Sequence, residues 1–110
     1  MKWIAVDYGD ARTGLAASDA TELLATPLTP QIEEKSMNKA AAAAAGVIAR
    51  QGAGGVVVGL PRNMDGTEGA RAAKSRRFAA RLAAACGNTN RASSLALAWP
   101  SASSRRLSSE

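Results

Sequence analysis

The sequence predicts an α/β fold built on a mixed β-sheet. Two short apolar segments, residues 2–7 and 14–19, flank a turn and have the length of paired antiparallel strands. A valine-rich segment at residues 54–61 is apolar on both faces, which is typical of a central parallel strand covered on both sides. Two alanine-rich segments of helical character lie before and after it. At 110 residues, a single domain is expected.

The three N-terminal strands are expected at residues 2–7, 14–19 and 23–28. The first is buried and ends at Asp7, and residues 8–13 form the turn that leads to its antiparallel partner. The third strand is weaker, because Pro27 has no backbone N–H and therefore belongs on a sheet edge or a bulge.

The first helix is expected over residues 31–51. Alanine is the strongest helix former, and Ala40–Ala45 is an unbroken run of it. Gly52 follows at a position where helices often end. Because charged residues flank the alanine run, we interpret this segment as a plain solvated helix.

The second helix is expected over residues 66–86, with Asp65 or Thr67 as its N-terminal cap. It has an apolar face and a basic face. The basic face consists of Arg71, Lys74, Arg76, Arg77 and Arg81. Two interpretations of it stay open: it follows a nucleic-acid backbone, or it is an ordinary solvated helix face.

Charge and composition narrow the function. The net charge of +5 favours phosphate-bearing partners. The chain has no histidine, which excludes histidine-based general-base, triad and zinc chemistry. Cys86 is the one cysteine, so no intramolecular disulfide forms and a reducing compartment is expected. No apolar run approaches about 18 residues and no signal peptide is present, so we expect a cytoplasmic protein without membrane contact.

A first motif begins with Asp7 at the mouth of the first strand. Removing a carboxylate from water without a partner is costly, so Asp7 either coordinates something or lies in a solvated turn. Gly9 and Gly14 allow close backbone approach or a positive φ. Arg12 either contacts a phosphate or covers Asp7, while Asp10 is interpreted as a solvated turn residue.

A second motif, residues 58–69, joins the central strand to the second helix. Free N–H groups at a helix start favour an anion there. Arg62 and Asn63 are candidates to hold a phosphate or a base edge. The pair Asp65-Gly66 predicts a tight turn, and Glu68 is expected to cap the helix by accepting from first-turn N–H groups.

The order of these elements resembles the ribonuclease H-like fold. The two motifs resemble those of the YqgF/RuvX family, whose members are described as Holliday-junction-resolvase-like proteins and as pre-16S rRNA nucleases. The resemblance covers residues 1–86, and residues 87–110 form an atypical Ser/Arg-rich tail that we expect to be poorly ordered. The motifs that carry the resemblance are Asp7-x-Gly9-x-x-Arg12-x-Gly14-x-Ala16-x-Ser18 and Val58-Gly59-Leu60-Pro61-Arg62-Asn63-Met64-Asp65-Gly66-Thr67-Glu68-Gly69.

The resemblance implies a nuclease that acts on the 5′ end of ribosomal RNA precursors with Mg²⁺ or Mn²⁺. It implies that Asp7 is catalytic and is the first metal-binding acid. Oxygen ligands suit these cations, so histidine is not needed. Pre-rRNA, branched DNA and ribosomal precursor particles are the partners that follow from it.

The chain departs from the family pattern after residue 86. The family has an Asp-Glu-Arg motif on the next strand and a further acid on a C-terminal helix, whereas residues 87–109 contain no Asp or Glu. The C-terminal strand and helix of the pattern are therefore incomplete, which is our reason to suspect a frameshifted or truncated reading frame. One carboxylate holds a divalent ion only weakly, so we expect the nuclease activity of this chain to be impaired.

Three alternative functions stay open at this point. A non-catalytic RNA-binding module agrees with the basic helix and the missing acids. A Holliday junction resolvase uses the same fold and metal chemistry. The strand-end motif at Asp7 also resembles the first phosphate loop of actin-like ATPases, although the chain is short for their two-lobed body and the second motif does not belong to them.

Overall fold

A computed structural model describes residues 2–18, 25–89 and 94–98 of the chain. These residues form a five-stranded mixed sheet with two helices packed on it. This confirms the predicted α/β class and its mixed sheet. In chain order the elements are β1 (Trp3–Asp7), β2 (Thr13–Ser18), β3 (Ala25–Ile32), α1 (Met37–Gln51), β4 (Gly55–Gly59), α2 (Ala70–Thr89) and β5 (Ser94–Ala98).

The strands lie in the order β3-β2-β1-β4-β5. β1 is antiparallel to β2 and parallel to β4, with Val6 opposite Val58. The carboxyl ends of β1 and β4 therefore meet at one edge of the sheet, which we call the carboxyl edge and define by Asp7 and Gly59. The predicted antiparallel start and parallel central strand are both confirmed.

The core lies on one face of the sheet. Ile4 and Val6 are buried there beside Val56 and Val58, because alternate side chains of a strand point to the same face. Both helices contribute to this same cluster of buried side chains. Val57 points to the other face of β4 and is only half-buried. The sequence predicts a strand covered on both faces, whereas among the described residues the helices cover one face of β4.

Helix α1 begins later than predicted and is not a plain solvated helix. Ile32 pairs with β2 at the end of β3, and the helix starts after Ser36, whose Oγ accepts from the Lys39 N–H at 3.3 Å. Gly52 ends it with φ of 65°, as the sequence predicts. Four of its alanines are buried against the sheet and α2, where small side chains let the backbones approach; they are Ala40, Ala41, Ala44 and Ala45.

Helix α2 also begins later than predicted, at Ala70. Asp65 and Thr67 lie in a hydrogen-bonded loop that precedes it, so neither caps its start. The helix buries Phe78 and Leu82, which the sequence places on the apolar face. No helix in the described ranges is long and apolar enough to cross a bilayer.

Two edge strands complete the sheet. β3 is one edge, which is where Pro27 predicts it to be, and it extends to Ile32. β5 lies within the segment expected to be poorly ordered, and it pairs in parallel with β4. Residues 87–89 of the predicted tail belong to α2, and its residues 90–93 and 99–110 lie outside the described residues.

The contact between Trp3 and Gly55 yields a prediction about stability. A Cβ on Gly55 would lie 2.7 Å from the Trp3 ring, directly opposite on the neighbouring strand. We expect Gly55→Ala to lower the free energy of unfolding by about 1–3 kcal/mol, as overpacked sites do. Urea unfolding followed by circular dichroism measures this value.

Gly46→Ala is the matched control. Gly46 lies within α1, and its Cβ would meet only the flexible end of Arg50 at 3.4 Å. Alanine there should stabilise the protein by about 0.5–1 kcal/mol, because glycine disfavours a helix interior. Equal unfolding midpoints for the two variants would contradict the packing described here.

Candidate active site

Asp7 presents its carboxylate at the carboxyl edge. It is the last residue of β1 and is exposed, because strand alternation turns it away from the face that the helices cover. A Cβ placed on Gly59 would lie 4.0 Å from Asp7 Oδ1, so the carboxylate stands beside the end of β4. None of the ion pairs found among the described residues involves Asp7. The group is thus solvated and available to a cation.

The loop after Asp7 is folded back on itself and fastened to α2. A Cβ on Gly9 would lie 2.5 Å from the carbonyl oxygen of Arg12, so this close approach requires glycine. The Tyr8 ring stacks on Phe78 with centroids 4.7 Å apart. Asp10 is 74% exposed, as expected of a solvated turn residue, and its Oδ1 also accepts from Lys74 Nζ at 3.1 Å.

Arg12 points toward β3 rather than over Asp7. Its Nε lies 3.7 Å from Glu33 Oε1, and both side chains are about 70% exposed, at 68% and 71%. Exposed pairs of this kind contribute about 0–1 kcal/mol, so Arg12 remains able to take a phosphate. Gly14 pairs with Asp7 across the two strands, and a Cβ there would lie 3.4 Å from the flexible amide of Gln31.

Residues 63–67 form a closed loop between β4 and α2, which we call the 63–67 loop. Gly66 N–H donates to the Asn63 carbonyl at 2.9 Å, and Asn63 N–H donates to the Thr67 carbonyl at 2.8 Å. Gly66 has φ of 87°, a region that favours glycine, at the predicted turn. Asp65 accepts from both the N–H and the hydroxyl of Thr67, and these bonds hold the pKa of Asp65 below its ordinary value.

Asn63 takes part in this loop through its side chain. Its Nδ2 donates to Thr67 Oγ1 at 3.0 Å, and a Cβ on Gly69 would lie 3.4 Å from its Oδ1. The amide expected to hold a phosphate or base edge is therefore engaged in shaping the loop. Arg62 next to it is exposed and takes part in none of the ion pairs among the described residues.

Glu68 binds Arg76 instead of capping the helix. Arg76 Nε donates to Glu68 Oε1 at 2.8 Å, and Arg76 Nη2 donates to Glu68 Oε2 at 2.7 Å. The two residues, 8 apart in the sequence, thus form a bidentate ion pair. The expected cap is wrong, because both carboxylate oxygens are turned along the helix to this guanidinium. Hydrogen bonding from Arg76 lowers the pKa of Glu68 and raises the pKa of Arg76.

The oxygen ligands at the carboxyl edge fit one cation that is bound jointly by the protein and a substrate phosphate. They do not fit a site built from protein ligands alone. No group of three or more His, Cys, Asp or Glu side chains comes together among residues 2–18, 25–89 and 94–98. Mg²⁺ usually keeps several waters and is bound through one or two carboxylates plus substrate phosphates. Asp7 fits as one such ligand, whereas two ions would need further acids.

This sheet order, with an exposed acid at the end of the first strand, is that of an RNase H-like protein. A family model described as RuvX, Holliday junction resolvase, matches residues 1–94. The chain belongs to the RuvX family, as its two motifs suggest.

Curated relatives carry the name "Putative pre-16S rRNA nuclease". One from Nocardioides sp. is 47% identical over 87 residues, covering 74% of this chain and 53% of that protein. One from Jannaschia sp. is 43% identical over 79 residues, covering 72% and 49%. One from Cereibacter sphaeroides is 42% identical, with the same coverage. The chain thus spans about half the length of the curated relatives it matches.

The Glu68–Arg76 pair predicts a pH dependence of stability. Because the folded-state pKa of Glu68 is lowered, its stabilising contribution is present above the unfolded-state pKa and disappears as the pH falls through the folded value. Wild type should therefore exceed Glu68→Gln in thermal midpoint at neutral pH. The difference should shrink below the ordinary glutamate pKa of about 4.3 and then vanish.

Glu33→Gln serves as the control for this series. Its pair with Arg12 is longer and more exposed, so its removal should change the thermal midpoint little at any pH. A Glu68→Gln difference that stays constant from neutral to acidic pH would contradict the assignment of the pair.

Proposed function

We propose that this chain is a nuclease that hydrolyses phosphodiester bonds in the precursor of 16S ribosomal RNA. The observation that carries the proposal is the exposed Asp7 carboxylate at the carboxyl edge, beside Gly59, in a chain that matches the RuvX family over residues 1–94. The names of the curated relatives support the same activity.

Asp7 would hold the divalent ion, Mg²⁺ or Mn²⁺, that the activity requires. Bound there, such an ion neutralises charge on the phosphodiester that is attacked. Asp7 contributes a charged oxygen ligand, and the position of that oxygen is set by the pairing of β1 with its neighbours. Arg62 is exposed on the adjoining loop and is our candidate to orient a phosphate. The contacts of Tyr8 and Asp10 with α2 keep the loop after Asp7 in place.

A lone carboxylate makes the cation site weak until nucleic acid is present. The substrate phosphate and water would complete the coordination, as is usual for Mg²⁺. We therefore propose that cleavage by this chain is slow and depends steeply on the concentration of Mg²⁺. This agrees with the impaired activity that the acid-free segment 87–109 leads us to expect.

The charge distribution supports a polyanionic substrate. Five arginines of the described residues are exposed and stand outside the ion pairs found there; they are Arg50, Arg62, Arg71, Arg77 and Arg81. With a net charge of +5, they favour binding to phosphates through release of counterions. We propose that the substrate is met in the cytoplasm, as free precursor RNA or within ribosomal precursor particles.

A Holliday junction resolvase is the second candidate, favoured by the description of the matching family model. The same carboxylate and the same arginines would act on the phosphates of four-way DNA. The two candidates differ in substrate, so a single experiment with both nucleic acids separates them.

We predict that purified protein cleaves precursor RNA slowly in Mg²⁺ and does not cleave it in EDTA. Asp7→Asn should reduce the rate by at least about 100-fold, since it removes the charged ligand of the ion. Denaturing gels with end-labelled precursor RNA and four-way DNA measure the rates. Glu34→Gln is the control acid, for which we expect the wild-type rate.

Cleavage that Asp7→Asn leaves intact would contradict the assigned role of the carboxylate. Preferential cleavage of four-way DNA would favour the resolvase. Salt-sensitive RNA binding without cleavage at any Mg²⁺ concentration would overturn the nuclease proposal in favour of a non-catalytic RNA-binding module.

A further inference from the structure

Met64 stands fully in solvent at the tip of the 63–67 loop. Its relative exposure is 108%, and it is the large apolar side chain found exposed among the described residues. An apolar side chain left in water adds nothing to the hydrophobic stabilisation of the fold. Packing within the protein therefore does not explain why a methionine occupies this position.

The loop holds Met64 outward in a fixed geometry. The Gly66 N–H donates to the Asn63 carbonyl, so Met64 occupies the second position of a four-residue turn. The Thr67 hydroxyl, bonded to both Asn63 and Asp65, closes the loop from the side. None of these bonds uses the Met64 side chain. The loop is therefore ordered before any ligand arrives, which lowers the entropy cost of binding at its tip.

The chain length between the tip and the carboxyl edge limits how far apart they lie. Met64 follows Gly59 by five residues, so their Cα atoms are at most about 18 Å apart. That distance corresponds to a few nucleotides of a strand whose phosphate lies at Asp7. Arg62 is exposed two residues before Met64 and supplies a cation in the same segment of the chain.

We propose that Met64 contacts a nucleobase of the bound nucleic acid, inserting against its face while Arg62 takes the neighbouring phosphate. The thioether is polarizable and makes favourable contacts with aromatic rings. Methionine is among the apolar side chains that proteins insert between base steps. The inference rests on the proposed function in that it takes the ligand to be nucleic acid.

The surroundings of Met64 favour a base over a protein partner. The side chains that surround it in the sequence are exposed and polar or charged, so they offer no apolar area to a protein interface; they are Arg62, Asn63, Asp65 and Thr67. A stable protein interface usually buries about 800 Å² on each side with an apolar centre. A single apolar tip beside a cation matches the alternation of bases and phosphates along a strand.

Fluorescence of 2-aminopurine tests the contact. The probes are a single-stranded RNA and a DNA of the same sequence that carry this base at successive positions, measured in EDTA so that the strand stays whole. We expect wild type to change the fluorescence at one or two positions. Met64→Ala and Met64→Gln should abolish that change and weaken binding about two- to twelvefold, which is the range that sulfur–aromatic contact energies correspond to.

Met64→Leu is the matched control, because it keeps an apolar side chain of similar size. It should retain the fluorescence change and lose less affinity than Met64→Ala, because leucine keeps the apolar contact with the base and lacks only the sulfur. All three variants should keep the wild-type thermal midpoint, since the side chain makes no contact that holds the loop. Binding and fluorescence unchanged in Met64→Ala and Met64→Gln would overturn the inference, as would a wild type that binds neither probe.

The outcomes separate this inference from the proposed activity. A Met64-dependent signal in a protein that cleaves nothing in Mg²⁺ supports the base contact and contradicts the nuclease. Asp7-dependent cleavage with no effect of Met64 on binding supports the nuclease and overturns the base contact.

Discussion

The pairing of β1 with β4 is the constraint on which the rest of the structure depends. Ile4 lies opposite Val56 and Val6 opposite Val58, and all four side chains are buried under the helices. Because strand side chains alternate between faces, a shift of one residue would turn the apolar set outward and Asp7 inward. Burial of these four side chains therefore determines the face of the sheet on which the Asp7 carboxylate lies, although Asp7 itself is not part of the core.

Helix α2 connects this core to the loop that follows Asp7. Phe78 of α2 is fully buried and stacks with the ring of Tyr8. Lys74, one helical turn earlier, forms an ion pair with Asp10. The alanines of α1 let the two helices lie close together on one face of the sheet. Packing in an alanine-rich core thus orders the loop after Asp7, while Asp7 itself stays exposed to solvent.

Much of this arrangement follows from local sequence patterns. Apolar runs and the valines of β4 predict the strands, and Pro27 predicts an edge. The helix starts were predicted too early, because hydrogen bonds of Ser36 and of the 63–67 loop decide where each helix begins.

Tertiary contacts account for what the sequence does not show. Glu68 was expected to cap a helix, and only the folded geometry shows that its carboxylate reaches Arg76. The Lys74–Asp10 pair joins positions 64 residues apart, so no local pattern predicts it. Asp7 was identified because a charge at the end of a buried strand is unusual, and this signal is local.

The central claim is that Asp7 shares a cation with bound nucleic acid. Paramagnetic broadening by Mn²⁺ in amide NMR spectra is the most direct test of this claim. With an RNA oligonucleotide present, broadening should centre on the amides of Asp7 and Gly59, and it should be much weaker without RNA. In Asp7→Asn the broadening at this edge should disappear. Broadening centred on Asp65, or an edge signal that RNA leaves unchanged, would contradict the account.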